Sequence, residues 1–461
     1  MSEPTPGFID RLKSSIAVDI HAPLVLLGNF EVETCWARGE LGLPSVGFAS
    51  SNLVVNRMDE FAMLLAGPDD VAVVKGHPDP DHLAHLADLR FGLPRLIVAD
   101  GAPERTVTDD GLRDPAVVEA LSRLAPSGAA ILPHGVSDDE ERLATTTGLP
   151  LAAPTAQICK AVNSKVYSRR LADRLGLRQP CGRACDDTAS WVDAVALAHG
   201  LLAGGARLAV KDAYGVSGRG ISVLDDGRRL DQLDRMVRGR LRRAGTDRIG
   251  LVVEEWVPKA ADLNYQFTVS RDGQVRFDFV KEAVTDNGVH KGHRMPARLT
   301  GAQDAELIAV AEKIGAALAE DGYFGVVGVD AMIDPSGGLY PVVEINARNN
   351  MSTYQVRLWE EVVGVGQVAL ARHYPVRLTR PLPFGRVRDL LAGLLLNIPG
   401  GEGLLVNNYA TVNAALSAAK PGQPVEGRLY GLVVADDMAT VDRLDEEIAR
   451  RLAGSCEGVV R

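Results

Sequence analysis

Cysteine is scarce in this chain of 461 residues: Cys35, Cys159, Cys181, Cys185 and Cys456 are the five, odd in number and scattered. Cys181 and Cys185 have no second pair to complete a zinc knuckle, so the thiols read as reduced and unligated. Long apolar runs are missing too. The most apolar short stretch, Leu390 to Leu396, is far below the roughly 18 apolar residues of a membrane span. Met1 to Ile20 has no apolar core of the signal-peptide kind. Positive charge is also short: 50 Lys+Arg against 60 Asp+Glu leave −10, which argues against a sequence-independent grip on nucleic acid. The expectation is a soluble cytoplasmic protein with neither a membrane nor a nucleic acid as partner. Lysine is rarer still, ten of the 50 basic residues. With abundant Ala and Gly, this is the composition of a high-GC genome, so a lysine standing against the bias carries more information than usual.

What is present is ordinary globular material, 46% hydrophobic and 24% charged, long enough for about three domains of roughly 150 residues. In residues 1–152, apolar runs at Leu24–Leu27, Ser45–Phe48, Val71–Val74, Leu96–Ala99 and Ala129–Leu132 alternate with amphipathic stretches such as Pro115–Leu124 and Asp138–Thr147. That alternation predicts a parallel sheet wound with helices. After Pro150 and Pro154, helices are expected over Asn163–Leu175, Trp191–Leu202 and Ala302–Glu320. Strands are expected at Arg207–Asp212, Gly220–Leu224, Gly250–Trp256, Tyr265–Ser270, Val275–Lys281, Val326–Ile333 and Leu339–Ile345. A Pro-rich joint around Pro375–Pro383 precedes a tail with strand Leu429–Ala435 and helix Ala439–Leu452. No internal repeat or low-complexity tract is evident.

Chemistry concentrates in Gly325 to Arg348. Asp334-Pro-Ser-Gly-Gly338 has the residues of a tight turn, with a strand on each side. A five-residue loop sets Ile333 against Leu339 and Asp330 against Val342. Side chains alternate along a strand, so Val327, Val329, Ala331, Ile333, Leu339, Val343 and Ile345 form one apolar face. Asp330, Glu344, Asn346 and Arg348 share the other. In that register Asp330 and Glu344 are diagonal neighbours, about 7–8 Å apart at the backbone. Two carboxylates and an amide oxygen make a hard, all-oxygen site of the kind Mg²⁺ takes when it also binds phosphates.

Glu344-Ile-Asn346-Ala-Arg348, preceded by Gly-Val-Asp330, resembles the metal-binding signature of the ATP-grasp superfamily, which includes D-alanine–D-alanine ligase and biotin carboxylase. The resemblance implies that Asp330, Glu344 and Asn346 hold Mg²⁺ (Mn²⁺ as a substitute) across the ATP phosphates. It also implies that Arg348 faces the reacting carboxylate or its acyl phosphate; the alternative for Arg348 is a structural ion pair to Glu360 or Glu361. Leu208 to Leu224 reads as strand, glycine-rich turn, strand, and glycines let a loop offer backbone N–H groups to phosphate. It is neither a Walker A loop nor a dinucleotide fingerprint. By resemblance Lys211 reaches the α/β-phosphates as a catalytic and cofactor-binding residue, and Ser217-Gly218 closes over ATP. Asn163-Ser-Lys165 looks like the entrance to the grasp domain, with Lys165 on a phosphate. Glu254-Glu255-Trp256-Val257 is similar to the strand-to-linker that holds adenine, Glu254 accepting from its amine and the backbone of Glu255 and Val257 serving the ring. Gln266 stands where D-alanine–D-alanine ligases are acidic, which leaves the ribose to Asp262 or Asn264. Lys281 to Arg298, with Lys281, Glu282, His290, Lys291, His293 and Arg294 around Gly288 and Gly292, reads as a mobile basic loop. Such a loop suits a γ-phosphate or substrate carboxylate, with Arg294 its catalytic candidate.

The resemblance implies an α/β fold class: a Rossmann-like pre-ATP-grasp domain (1–152), then an ATP-grasp fold of two α+β subdomains (about 160–257 gripping nucleotide, 258–375 binding metal, within 153–375), then a small C-terminal α/β segment (376–461). The tail around Gly427–Asp437 is similar to that of pheganomycin-type peptide ligases, themselves related to butirosin-type amino acid–carrier protein ligases. The implied activity is an ADP-forming carboxylate–amine ligase of amino-acid or peptide specialised metabolism, using ATP and Mg²⁺ on small-molecule acid and amine substrates, and assembling as a homodimer. Alternatives are transfer to an acyl carrier protein's phosphopantetheine arm, or a nucleotide-binding regulatory protein with a degenerate site.

Overall fold

The computed structural model describes residues 6–43, 50–215, 220–286 and 289–458. The expected strand at Ser45–Phe48, the loop residues Ser217 and Gly218, Gly288, and the side chains of His290, Lys291 and Cys456 lie outside the described residues.

The first sheet is parallel, built from β1 (Leu24–Leu27), β2 (Val71–Val74), β3 (Arg95–Val98) and β4 (Ala130–Pro133) in the order β3-β2-β1-β4. Its central strands are buried along their whole length, because alternate residues feed two different cores. Leu24, Leu26 and Leu132 go to one side, and Val25, Leu27 and Ile131 to the other. Such double burial is why these strands read as unbroken apolar runs. Helix α1 (Val32–Trp36) follows β1, and α2 (Asp138–Thr147) follows β4. The latter opens on a Ser137/Glu140 capping box with four acids in its first turn, and closes on Gly148 at φ 73°. Both ends suit a helix dipole and an unbranched left-handed cap.

A second, antiparallel sheet of β5 (Gly182–Asp187), β6 (Leu208–Asp212), β7 (Ile221–Leu224) and β8 (Arg248–Glu255) runs in the order β5-β8-β6-β7. Helix α3 (Lys165–Arg174) precedes it, while α4 (Thr188–Ala203) and α5 (Gly227–Ala244) cover one of its faces. The covered face uses Leu208, Val210, Leu251 and Val253 against Trp191, Leu230 and Val237. By alternation Ala209, Lys211, Val252 and Glu254 turn to the other face, where Val166 of α3 packs on Val252.

The third sheet has eight antiparallel strands, β9 (Ala261–Val269), β10 (Val275–Asp286), β11 (Val289–Met295), β12 (Gly325–Ile333), β13 (Leu339–Asn346), β14 (Val368–Leu378), β15 (Gly403–Asn408) and β16 (Val425–Ala435). Their order is β13-β12-β9-β10-β11-β14-β16-β15. Helix α6 (Gly301–Glu320) packs on Leu263, Phe267 and Val329 at one end of a face, and α7 (Met438–Gly458) on Leu370 and Val433 at the other. Ala369, Ala371, Leu432 and Val434 bury against Phe61 and Leu64 beside the first sheet.

Two sequence expectations change here. The stretch Lys281–Arg298 is not a loop throughout: it carries the end of β10 and all of β11. The expected boundary at residue 375 falls inside β14, so the C-terminal segment extends the metal-side sheet instead of following it. Pro375 pairs with Arg428 of β16 and lies beyond residues 369–372, the part of β14 that β11 covers. Among the described residues, no helix is long and apolar enough to cross a membrane.

Candidate active site

The β12–β13 hairpin turns at Asp334, whose carboxylate accepts from the Ser336 and Gly338 amides (both 2.9 Å) and the Ser336 hydroxyl (2.6 Å). These bonds hold that carboxyl down at about 2. Ile333 pairs with Leu339 as expected, but the register then shifts between Asp330 and Met332. Asp330 therefore lies directly opposite Glu344, not diagonal to it, and Gly328 opposite Asn346. The extra residues of the bulge surround Pro341, which has no N–H to give to the ladder. The same shift puts Val342, not Val343, in the core. Direct opposition brings the carboxylates closer, and burial, then Glu344, push Asp330 up to about 6.

The register extends this polar row across four strands. Glu344 stands beside Asp330, Asp330 beside Asn264, and Asn264 beside Lys281. Asn264 donates to Asp330 Oδ1 at 2.8 Å, and Asn346 to Asp330 Oδ2 at 3.3 Å. Asn264 thus serves the carboxylate. Asp262 is ion-paired to Lys259 at 2.5 Å. Lys281 is almost wholly buried, donates to Gln355 Oε1 at 3.2 Å, and is pushed down to about 7 by burial. Arg294 belongs to a different row: it pairs with Glu282, which pairs with Leu263, which pairs with Ala331. Leu263 and Ala331 face α6, so Arg294 is on the opposite side of the sheet from Asp330. Strand alternation separates it from the carboxylates, and its buried Nε has no hydrogen-bond partner among the described residues.

Facing the row, Lys165 begins α3 behind its Ser164 cap. Its ammonium joins the two sheets, donating to Glu344 Oε1 at 2.5 Å and to the Gly215 carbonyl at 2.7 Å. Lys211 is paired to Glu254 Oε1 at 2.5 Å, and Arg169 approaches Glu254 Oε2 at 3.5 Å. Glu254 therefore stands beside Lys211 on the open face of β8. Glu255 ends that strand with its amide given to the Cys181 carbonyl at 2.8 Å, so that amide is committed within the fold. Trp256 is 37% exposed, its amide bonded to the Arg207 carbonyl at 2.7 Å, and Val257 is half-buried beyond it.

Arg348 lies past Asn346, donating to Asn346 Oδ1 at 3.1 Å and to the Asn349 carbonyl at 3.0 Å. Its ion pair is with Glu33 of α1, through Nε at 2.9 Å and through Nη2. Neither Glu360 nor Glu361 takes it: the first pairs with Arg11 and the second with Arg357. Glu33 comes from the C-terminal side of β1, next to β4, where the strand order of the first sheet reverses. Open α/β sheets bind ligands at that point. Asn349 continues the contact, donating to the Pro133 carbonyl at 3.1 Å.

Two carboxylates directly opposed, with an amide oxygen beside them, are an oxygen donor set that fits Mg²⁺. The raised Asp330 fits as well, since a cation removes the repulsion that raises it. Among the described residues no group of three or more His, Cys, Asp or Glu side chains is placed to hold a metal ion. Sequence reasoning missed Glu33, Arg169 and the role of Lys281. Only Lys281 left a signal, being a lysine inside a strand of a lysine-poor chain.

Comparisons with known proteins agree with this architecture. Residues 58–149 match the family model for the pre ATP-grasp domain. Over 313 residues, 68% of this chain and 68% of the relative, the chain is 28% identical to the [butirosin acyl-carrier protein]–L-glutamate ligase of Niallia circulans. It is similar to the ADP complex of an N5-carboxyaminoimidazole ribonucleotide synthetase, with TM-score 0.54 and 12% identity over 95% of this chain and 98% of that one. It is also similar to biotin carboxylase from Campylobacter jejuni, with TM-score 0.53 and 14% identity over 90% and 87%. At such identities these two structures speak for the fold alone.

Proposed function

We propose that this chain, an ATP-grasp superfamily ligase, activates a carboxylate as an acyl phosphate and passes the acyl group to an amine, releasing ADP and phosphate. The observation that carries the reading is the pairing of walls: Asp330, Glu344 and Asn346 on one sheet, Lys211 on the other with Lys165 of α3 reaching between them, and Arg348 just beyond. Mg²⁺ held by Asp330, Glu344 and Asn346 would neutralise charge on the phosphates and on the transferring phosphoryl group. Lys165 and Lys211 exchange their carboxylate partners for phosphate oxygens. A substrate carboxylate oxygen attacks the γ-phosphorus and ADP leaves. The amine nitrogen then attacks the acyl carbon, losing a proton as phosphate departs. Arg348, fixed by Glu33 through Nε and Nη2, exchanges its bonds to Asn346 and Asn349 and so offers its Nη1–Nη2 edge to the carboxylate and then to the oxyanion. Closure of the small sheet over the cleft protects the acyl phosphate from water.

The relative from Niallia circulans favours one refinement, that the acceptor rides on an acyl carrier protein, as its name says of that enzyme. The arm's thiol, or an amine attached to it, then replaces the free amine in the second step. Nucleotide fate tests the shared first step. Chromatography of turnover mixtures should show ADP and phosphate; AMP and pyrophosphate as the sole products would replace acyl-phosphate chemistry with adenylation.

A further inference from the structure

Helix α5 departs from the rest of the surface. In a protein of net charge −10, its 18 residues hold seven arginines and two aspartates. Leu230, Leu233, Val237 and Leu241 seal its inner stripe into the second sheet's core, which turns most of the arginines outward. A solvated face offers the bland account. Elsewhere on this protein, exposed helix arginines lean on an acid one turn away, as in Arg113–Asp109, Arg123–Glu119 and Arg451–Glu447. On α5, Arg229 and Arg238 do the same and Arg240 donates to the Gly42 carbonyl at 2.7 Å. Arg228, Arg235, Arg242 and Arg243 have no ion pair among the described residues.

The shape is that of a dock. Arg235, Arg240 and Arg243 rim a hollow of about 430 Å³ whose floor includes Met236 and Gly239. Met236 is 39% exposed, and a Cβ added at Gly239 would meet nothing. Around the C-terminal end of α5, Arg238 and Arg242 line a second hollow of about 550 Å³ with Thr188 and Thr246. Arginine and methionine, with an apolar floor inside a charged rim, are the residues that protein interfaces favour. The patch also reaches the cleft. Arg240 holds Gly42, Leu43 donates to Asp212 Oδ1 at 2.5 Å, and the Asp212–Gly215 turn carries the carbonyl bound by Lys165.

Resting on the carrier-protein refinement above, we infer that the outer face of α5 docks a small acidic carrier protein. Its acidic helix lies across Met236 and Gly239 between the arginines, and its phosphopantetheine arm passes the Gly42–Leu43 loop into the cleft. Charge of one sign on an otherwise acidic enzyme steers such a partner.

The test uses the full-length enzyme with ATP, Mg²⁺ and glutamate, following ADP release with the phosphopantetheinylated butirosin carrier protein or with free pantetheine. Arg235→Glu/Arg243→Glu should raise the KM for the carrier protein about tenfold or more, with a weaker response to added salt. Turnover with pantetheine should stay unchanged. The milder Arg235→Gln/Arg243→Gln should show the same split in smaller measure, and melting curves exclude unfolding. If both variants use the carrier protein as the parent does, the dock is elsewhere and the carrier reading survives. Use of pantetheine but not of the carrier protein by the parent overturns the dock as well. If the parent ignores both acceptors yet releases ADP with free amines, the carrier reading falls and this surface with it. Tight binding of a duplex oligonucleotide, abolished by the same substitutions while carrier kinetics are unchanged, would reassign the face to nucleic acid.

Discussion

The two walls of the cleft are built on opposite electrostatic plans. On the small sheet Lys211 already has its complement in Glu254, which Arg169 of α3 also approaches. On the large sheet, strand register forces two acids together, and the bulge at Pro341 makes the opposition direct. Lys165, reaching over from α3, and the charge of Arg348 offset that pair. A wall with internal pairs is self-sufficient, whereas a wall with opposed carboxylates is stable in proportion to the cation it is given. The asymmetry explains how one cleft can take up a polyanion and divalent cations together. Divalent cations held on the acidic wall would free Lys165 to meet phosphate.

The strongest way to break the comparison is Glu344→Gln. It removes the repulsion and one anionic ligand while keeping an acceptor for Lys165, so the thermal midpoint should stay within a few degrees of the parent. Turnover should fall by about 10³-fold. Single-turnover ADP formation at saturating Mg²⁺ measures this, and parent-like rates would make the hairpin an ordinary polar surface.

Arg348 ties the acidic wall to the first sheet, and its substitution sharpens the comparison by leaving both walls intact. Arg348→Lys keeps a positive charge near Glu33 but cannot present two donors in one plane. ATP affinity by calorimetry should move by less than about threefold, while the chemical step slows by about 10²-fold. Glu33→Gln should reproduce part of that slowing, about tenfold, because the guanidinium loses its charged anchor but stays in place. An unaltered chemical step in Arg348→Lys would reduce the Arg348–Glu33 pair to a structural tie.

What was legible in the sequence follows the range of the interactions. The acidic face could be read from strand alternation because Asp330, Glu344 and Asn346 lie within one hairpin. The register slip could not, since it depends on where the ladder yields around Pro341. Helix α2 was readable to the residue from its cap, acidic first turn and terminal glycine, all local signals. Strands β11 and β14 were missed for the opposite reason: glycine, histidine and proline hide their alternation, and the partners of β14 lie 47 to 80 residues away. Arg294 was misassigned with them, because a residue read as part of a loop has no face. Glu33 is 315 residues from Arg348, and nothing in the spacing of either connects them.

The smallest expected effect contrasts the partnered acids of the cleft with an acid that has none. Glu31, two residues before Glu33, has both carboxylate oxygens buried with no side-chain partner among the described residues, only its own backbone amide lowering it. Burial first, and then the nearby Glu140 and Asp59, push it up from 4.5 to about 8. The folded protein therefore keeps a proton that the unfolded chain gives up near its ordinary carboxyl pKa. The contribution is fully present below about pH 4.5 and is lost as pH rises toward about 8. Other buried groups run the opposite way: Lys281 and His85 are pushed down to about 7 and about 4, so the parent's own melting curve mixes the signs. The difference between Glu31→Gln and the parent isolates the term, because glutamine does not titrate. Near pH 5 the two should melt within about a degree of one another, and the variant should gain steadily up to about pH 8, by a few degrees, before levelling off. Calorimetric scans of ligand-free protein across that range measure it. A difference that stays flat with pH would mean that Glu31 finds a partner in the folded protein, as Glu344 does in Lys165.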